Sequence, residues 1–318
     1  MMKGKTEGKG RFRRKLNRKT AAGLWILAAV LCLAAAGPAV SGYTFDDQRI
    51  EEQNLAPRIP GLERLGIFDG TETVVTSEGR KQRNRYEENG LGDTYYWFGS
   101  DVLGRDIFTR TWMGTGISLL IALLAVAADM AAGVVYGMVS GYFGGRVDFI
   151  MQRLTEIISG IPSLVIATLL ILVLRPGFLA IALSIAVTGW IGMNRVARAK
   201  VLELKEREYI IAARTQGAGH LRLLFREILP NMTGPILVTT FLSVPNAIFT
   251  EAFLAFIGLG IPAPYASLGT LISEGFQVFT IHPYMIVPPA FVLIAVMMGF
   301  NLTADGLRDM ADRKNREG

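Results

Sequence analysis

The chain has 318 residues, 51% of them hydrophobic, and a mean hydropathy of +0.35. It is more apolar than a soluble domain needs to be to fill its core, so the composition predicts a membrane protein. The net charge of +6 comes from basic residues that cluster near apolar runs, without the interleaved aromatic residues that are typical of a nucleic-acid surface. The single cysteine, Cys32, excludes a disulfide framework and a cysteine-based metal site.

Six stretches of the chain are apolar and long enough to cross a bilayer, which takes about 20 residues. In chain order they are residues 21–41, 115–140, 154–174, 178–197, 233–257 and 284–304. They predict an all-α, polytopic membrane protein with six transmembrane helices. The first stretch has a second interpretation, since a basic start, a short apolar core and the small residues Ala34 to Ala36 also resemble a cleavable signal peptide.

The distribution of Lys and Arg predicts the orientation, because short cytoplasmic segments are enriched in both. Nine lie in residues 1–20, two in 141–153, eight in 195–232 and four after residue 304. The loops 174–178 and 258–283 together contain one, Arg175. Both chain ends and the 195–232 loop are therefore predicted to be cytoplasmic.

These spans and charges divide the chain into five parts. They are a basic cytoplasmic N-terminus (1–20), a first transmembrane helix (21–41), an extracytoplasmic segment (42–114), a five-helix core (115–304) with a cytoplasmic loop at 198–232, and a cytoplasmic tail (305–318). Residues 42–97 are polar and mixed in charge, which predicts little core of their own.

Three acidic residues, Asp129, Glu156 and Glu251, fall inside or at the ends of predicted spans. A carboxylate is costly in hydrocarbon, so each of these acids is predicted to line a pathway or to have a structural role, and the structural role is favoured. In a structural role, Glu156 and Glu251 would lie near the ends of their helices or bond to neighbouring helices. The two histidines are predicted on opposite sides of the membrane. The sequence therefore predicts no catalytic site and no metal site.

The cytoplasmic loop is too polar to span and too periodic to be a plain connector. Ile210, Ile211 and Arg214 have helical spacing, and Gly217 and Gly219 then break the run. After the break a second stripe of apolar residues follows at i, i+3, i+4 and i+7, and Pro230 marks a turn toward the membrane. That stripe consists of Leu221, Leu224, Phe225 and Ile228. A helix, a glycine bend and a second helix are predicted, which would lie on lipid headgroups or dock on a protein.

The same loop resembles the EAA loop in membrane subunits of ATP-binding cassette importers. That motif reads Glu-Ala-Ala, three residues, Gly, and a Leu-Pro twelve and thirteen residues further on. Ile211 takes the place of the family's Glu, and the nearest acid, Glu208, lies one helical turn earlier. The resemblance implies that the loop contacts an ATPase through Glu208, Ile211, Ala212, Ala213, Gly217, Leu221, Leu224, Phe225, Leu229 and Pro230.

Further motifs narrow the resemblance to the oligopeptide, dipeptide and nickel permeases, and to their C-type subunit. WFGSDVLGRDIFTR at 97–110 resembles the family's FGTDxxGRDxxSR signature, and YFGGRVDFIMQRL, AFLAFIGLGIPAP and FNLTADGLRD follow in the family's order. The signature residues are Gly99, Asp101, Gly104, Arg105, Asp106 and Arg110. The match covers about residues 97–310.

Membership of this family implies a type I ABC importer permease fold in a bacterial inner membrane. The implied partners are a second, B-type permease subunit, two ATPase subunits that hold ATP and magnesium, and an extracytoplasmic substrate-binding protein. This chain would bind no cofactor itself and would carry peptide, or alternatively nickel or another small solute.

A rival interpretation is an ion-coupled secondary transporter that uses Asp129 or Glu251. Such a transporter predicts inverted repeats in the sequence, and no such symmetry is visible. A third alternative is a membrane-anchored enzyme whose active site lies in residues 42–97. It is disfavoured because this segment contains no candidate nucleophile, no histidine and no metal cluster.

Overall fold

A computed structural model describes residues 17–76 and 79–317. Most of the predicted basic N-terminus, residues 1–16, and the last residue of the predicted tail lie outside the described residues. The described chain is predominantly helical, with one small β-hairpin inserted between the first and second long helices.

The helices fall in this order: α1 (Arg18–Ser41), α2 (Arg85–Glu88), α3 (Ile107–Phe143), α4 (Gly145–Ser159), α5 (Ser163–Leu174), α6 (Phe178–Leu204), α7 (Glu208–Thr215), α8 (His220–Leu259), α9 (Leu268–Gln277) and α10 (Val287–Glu317). The hairpin consists of β1 (Thr71–Thr76) and β2 (Gly79–Asn84), paired antiparallel with Thr71 opposite Asn84. The hairpin is not anticipated by the sequence analysis, because both strands are short and rich in polar residues.

Five helices of the described chain are long and apolar enough to cross a membrane, or six if the bent pair of α4 and α5 counts as one span. The chain is therefore a multi-pass membrane protein. The predicted third span, 154–174, is wrong as a single straight helix, because α4 and α5 meet at an angle of 79°. Pro162 disfavours the helical conformation in Ile161 and provides no N–H of its own, so the helix stops before it.

Pro230 does not turn the chain, contrary to the prediction. It lies near the start of a regular stretch of α8, directly after the π-helical turn Leu223–Ile228. A π-helical turn widens the backbone and alters the hydrogen-bond ladder, which lets the helix continue through a residue that lacks an N–H. The predicted second short helix is therefore the beginning of the long membrane helix α8.

Helices α3 and α6 run parallel and touch through their backbones. A Cβ added to Gly133 would come within 2.6 Å of the Trp190 carbonyl oxygen, and one added to Gly137 within 2.6 Å of the Asn194 carbonyl oxygen. Gly141 makes the same kind of approach one turn further on. Glycines at intervals of four residues allow membrane helices to approach this closely. We call this contact the glycine seam.

Small residues also join the first helix to the last. Gly23 of α1 lies against Gly299 and Thr303 of α10, where an added Cβ would be 2.6 Å from the Gly299 carbonyl oxygen. At the end of this contact, the Lys19 ammonium lies 3.1 Å from the Asp309 carboxylate. The N-terminal helix is thus packed along the C-terminal one.

The segment between α1 and α3 has a small core of its own. Leu55, Tyr86 and Tyr96 are almost fully buried, and the ring of Tyr43 stacks on Tyr96 with 4.6 Å between centroids. The Tyr86 hydroxyl donates to the Ala56 carbonyl at 2.8 Å. These contacts hold the segment together.

The glycine seam makes a direct stability prediction. We expect Gly137→Ala to lower the free energy of unfolding by about 1–3 kcal/mol, because the new methyl group overlaps a backbone carbonyl that has no room to move. The measurement is thermal unfolding of the purified protein in detergent. The matched control is Gly192→Ala in α6, where an added Cβ meets nothing within 4 Å. Equal stability of the two variants would contradict the seam.

Candidate functional site

The segment Glu208–Pro230, which we call the coupling segment, begins with the short helix α7 and bends at Gly217. Gly217 has a φ of +82°, a conformation that favours glycine. The bend is closed by hydrogen bonds from the Gly217 N–H to the Arg214 carbonyl and from the Ala218 N–H to the Ala213 carbonyl, both 3.0 Å. This is the ordinary way for a helix to end at a glycine. The predicted helix and glycine bend are confirmed.

The side chains of the coupling segment divide into an inner and an outer set. Ile210, Leu224 and Ile228 are buried, whereas Ile211, Leu221 and Phe225 are 51%, 72% and 55% exposed. The predicted stripe 221, 224, 225 and 228 is therefore wrong as one face, because the π-helical turn changes the rotation per residue within it. Of the other predicted contact residues, Glu208, Ala212, Gly217 and Pro230 are exposed, and Ala213 and Leu229 are half-buried.

The coupling segment is fastened to the end of α3. The Tyr142 hydroxyl lies 2.8 Å from His220 Nδ1, and the Arg214 guanidinium lies over the Tyr142 ring at 5.8 Å from its centroid. Lys205 Nζ donates to the Gly141 carbonyl at 3.2 Å. Sequence reasoning missed Tyr142, although it lies in one of the quoted family motifs, because nothing local connects it with His220. These contacts hold the bend of the coupling segment against the end of α3.

A second polar network lies nearby and joins α4, α6 and α3. Arg198 of α6 donates from Nε and Nη2 to the two carboxylate oxygens of Asp148, at 2.6 and 2.5 Å. Ser140 donates to the same carboxylate and accepts from Gln152 Nε2 at 2.8 Å. A bidentate arginine–carboxylate pair fixes direction as well as distance. Three helices are thereby held in register beside the coupling segment.

At the other end of α3 the signature residues begin the helix. Asp106 is the N-cap: its carboxylate accepts from the Phe108 N–H at 3.3 Å, the Thr109 N–H at 2.9 Å and the Thr109 hydroxyl at 2.5 Å. Carboxylates are favoured at this position because they satisfy free N–H groups of the first turn. Gly99 and Gly104 have φ values of +83° and +72°. At Gly104 an added Cβ would overlap the Arg49 carbonyl oxygen, so only glycine fits there.

The remaining signature residues form a buried ionic cluster with a partner that is distant in sequence. Arg105 Nε donates to Asp101 at 2.7 Å, and Arg110 also donates to Asp101. Arg110 extends to Glu274 of α9 through two hydrogen bonds of 2.8 and 3.3 Å. Both arginine side chains are 5% exposed or less. The sequence motif predicts Asp101, Arg105 and Arg110 as a group but contains no signal for Glu274.

The three acids predicted in spans have different environments. Glu251 is fully buried, and one of its oxygens accepts from the Ser118 hydroxyl at 2.9 Å; that hydroxyl in turn accepts from the Leu268 N–H at 3.1 Å. Asp129 is buried against Gly189, where an added Cβ would overlap its carboxylate. Asp129 Oδ1 and Glu251 Oε1 are buried without a hydrogen-bond partner among the described residues, so the structural role of these two acids stays a prediction.

Glu156 lies near the end of its helix, which is the structural alternative given for it above. It lies in α4, before the bend at residues 160–162, and its exposed carboxylate pairs with Arg153 at 2.6 Å. The bend, which the hydropathy pattern does not reveal, removes Glu156 from the continuous span in which it was placed.

Two polar contacts of Glu72 tie the hairpin to α2 and to the loop before α10. Arg85 Nε donates to Glu72 at 2.9 Å, and His282 Nδ1 lies 3.1 Å from the other Glu72 oxygen. Burial raises the pKa of Glu72, but Arg85 and His282 more than offset this effect and hold the pKa below its ordinary value. Sequence reasoning assigned His282 no role. Within residues 17–76 and 79–317, no group of three His, Cys, Asp or Glu side chains could hold a metal ion.

The ionic cluster provides a second prediction. Replacing Arg110 by Gln leaves the buried Asp101 with a single arginine, and we expect a loss of about 3–5 kcal/mol in the free energy of unfolding, as for other broken buried pairs. The measurement is thermal unfolding in detergent. As a control, Arg153→Gln breaks the exposed pair with Glu156 and should cost less than about 1 kcal/mol. Similar losses in both variants would count against a buried cluster.

Comparison with known proteins places this geometry in a family. Residues 133–317 match the model of "Binding-protein-dependent transport system inner membrane component". The oligopeptide transport system permease protein OppC of Bacillus subtilis is 49% identical over 222 residues, 70% of this chain and 73% of that protein. The dipeptide transport system permease protein DppC of the same organism is 39% identical over 305 residues, 96% of this chain and 84% of that protein.

The fold is also found in a solved structure. A chain of the MetNI methionine ABC transporter, crystallised in inward-facing conformations, superimposes with a TM-score of 0.53 at 15% identity, covering 62% of this chain and 93% of that one. The structural likeness shows a shared fold, and the sequence matches show common descent. The chain belongs to the family of inner-membrane components of binding-protein-dependent transport systems.

Proposed function

We propose that this chain is one of two permease subunits of an ATP-driven importer that carries dipeptides or oligopeptides across a bacterial inner membrane. Support for the substrate class comes from the relatives named as peptide permeases, one of which matches 96% of the chain. The observation that carries the mechanism is the coupling segment, an exposed bend joined to the end of the membrane helix α3 through Tyr142 and His220.

The coupling segment is the contact for an ATPase subunit. Its outer set, Ile211, Leu221 and Phe225, presents three large apolar side chains to solvent. Isolated apolar residues on a surface need no explanation, but three within one bend favour a docking face. The family's glutamate is replaced by Ile211 in this chain, so the contact at that position rests on apolar burial instead of charge.

The other subunits follow from this assignment. The chain itself is non-catalytic, and ATP and magnesium are held by two separate ATPase subunits beneath the coupling segment. A B-type permease subunit completes the pathway, membrane lipid covers the outer helices, and a binding protein delivers substrate from the opposite side. Both chain ends and the coupling segment face the cytoplasm, in agreement with the basic residues of segments 195–232 and 305–318.

Substitution of Gly217 tests the function. The complete importer in proteoliposomes should take up a labelled dipeptide when ATP is supplied. Gly217→Val should reduce uptake at least tenfold while ATP hydrolysis continues, because valine disfavours the positive φ of the bend.

Gly219→Val is the matched control, since Gly219 has a φ of −68° and open space around its Cα. It should retain uptake. No peptide uptake by the unsubstituted importer would contradict the proposed substrate, and normal uptake by Gly217→Val would contradict the coupling role.

Crosslinking tests the ATPase contact directly. A cysteine introduced at Ile211 or Leu221 should crosslink to a cysteine on the ATPase surface in the assembled importer, because both positions are exposed in the outer set. Leu224→Cys, three residues from Leu221 but buried, should give little product. An absence of crosslinks from every exposed position would show that the segment does not dock there.

A further inference from the structure

One face of the membrane helix α8 is polar and accessible. Thr239, Ser243, Asn246 and Thr250 follow one another at intervals of four, three and four residues, which places them in one line along a helix. We call this line the polar stripe. Helix α8 is among those long and apolar enough to cross a membrane, and the polar stripe lies in the middle of it.

The polar stripe points away from the rest of the chain. Asn246 is exposed and the three hydroxyl residues are half-buried. On the opposite side of the same turns, Val244, Ala247 and Ile248 are buried in the apolar core shared with α3 and α6. At these turns the fold therefore buries Val244, Ala247 and Ile248 and leaves the polar stripe partly accessible.

Each of the three hydroxyl groups in the polar stripe donates its proton to a backbone carbonyl one turn earlier in the same helix. Thr239 donates to the Pro235 carbonyl at 3.0 Å, Ser243 to the Thr239 carbonyl at 3.0 Å and Thr250 to the Asn246 carbonyl at 2.8 Å. Their oxygen lone pairs stay available as acceptors. The Asn246 side-chain amide makes no hydrogen bond within the described residues, and it is both a donor and an acceptor.

Two features make hydrocarbon an unsuitable neighbour for this face. An amide without a partner costs several kcal/mol, about 4–8 by transfer to cyclohexane, so Asn246 favours water or a polar ligand. Pro245 in addition supplies no N–H to the Phe241 carbonyl one turn earlier. Helices with such prolines are tolerated in membranes where a water-filled cavity or a protein neighbour satisfies the freed groups.

The chemistry of the polar stripe fits the main chain of a peptide. The stripe offers neutral acceptors and one amide, and no charge, so it can exchange hydrogen bonds with peptide N–H and C=O groups whatever the side chains are. Phe253 lies on the same face, three residues after Thr250, and is 38% exposed. The polar stretch is thus bounded by an apolar side chain at that end.

We propose that the polar stripe forms part of the wall of the translocation path and contacts the peptide main chain through Thr239, Ser243, Asn246 and Thr250. This inference rests on the proposed function, since it names the substrate contacts of that importer. It assigns a role to α8 separate from the ATPase contact at the helix's other end.

Cysteine accessibility tests the proposal in the complete importer. Cys32 is the sole cysteine of the chain, so Cys32→Ser provides a cysteine-free background. Peptide uptake by the unsubstituted importer is measured beside this background, and its absence would count against the proposed function. If only the serine variant is inactive, Cys32→Ala provides the background instead. Single cysteines then replace each stripe residue, with Leu237→Cys as control, because Leu237 is 50% exposed on the opposite face of α8.

The readout is the rate of modification by a charged, water-soluble methanethiosulfonate and by an apolar maleimide. Stripe cysteines should react with the charged reagent at least tenfold faster than Leu237→Cys, and a transported dipeptide should slow that reaction at least threefold. Reaction with the maleimide alone would place the stripe against lipid, and a crosslink to the partner permease without modification would place it in the subunit interface. Either result, or charged modification that peptide does not slow, overturns the proposal.

Asn246→Gln provides a second measurement that does not depend on cysteine chemistry. Glutamine keeps the amide but moves it by one methylene, so the KM for peptide uptake should rise several-fold while ATP hydrolysis is unchanged. An unchanged KM would contradict a substrate contact at Asn246.

Discussion

The structure depends on the direct contact of two helix backbones, α3 and α6. Gly133, Gly137 and Gly141 leave no side chain between them, so the α6 carbonyls lie against the α3 surface. In a membrane, helices gain little from excluding lipid and associate through close packing of this kind. The other contacts are arranged around this pair: α8 packs on both, and the α4 network with Arg198 closes over one end.

The two ends of α3 carry the two polar regions of the molecule. At its start, Asp106 caps the helix and Arg110 enters the ionic cluster with Glu274. At its end, Tyr142 meets His220 beside the glycine bend. The buried acid Glu251 then links α3, α8 and α9 between these two regions. The buried acids Asp101, Asp106 and Glu251 thus each make their hydrogen bonds at the contacts or ends of helices.

Much of this organisation is readable from the sequence, and the exceptions have a common cause. Apolar runs identify five of the spans, and the glycines of the coupling segment identify its bend, because both signals are local. The bend between α4 and α5 is harder to read: Pro162 is visible, but hydropathy does not distinguish a kinked span from two helices at 79°. The π-helical turn before Pro230 alters which side chains are buried, and no residue type encodes it directly. Glu274 and Tyr142 find their partners across the fold, which no spacing rule reveals.

The length of α3 has a consequence for how motion crosses the membrane. Its 37 residues make a rod of about 55 Å, longer than the roughly 30 Å of hydrocarbon it must cross. Arg110 and Tyr142 thus belong to one rigid element whose ends both lie near water. If α3 tilts as a rigid rod, a displacement at Tyr142 moves Arg110 in the opposite direction. Motion at one face of the bilayer can therefore reach the other face without a series of side-chain rearrangements between them.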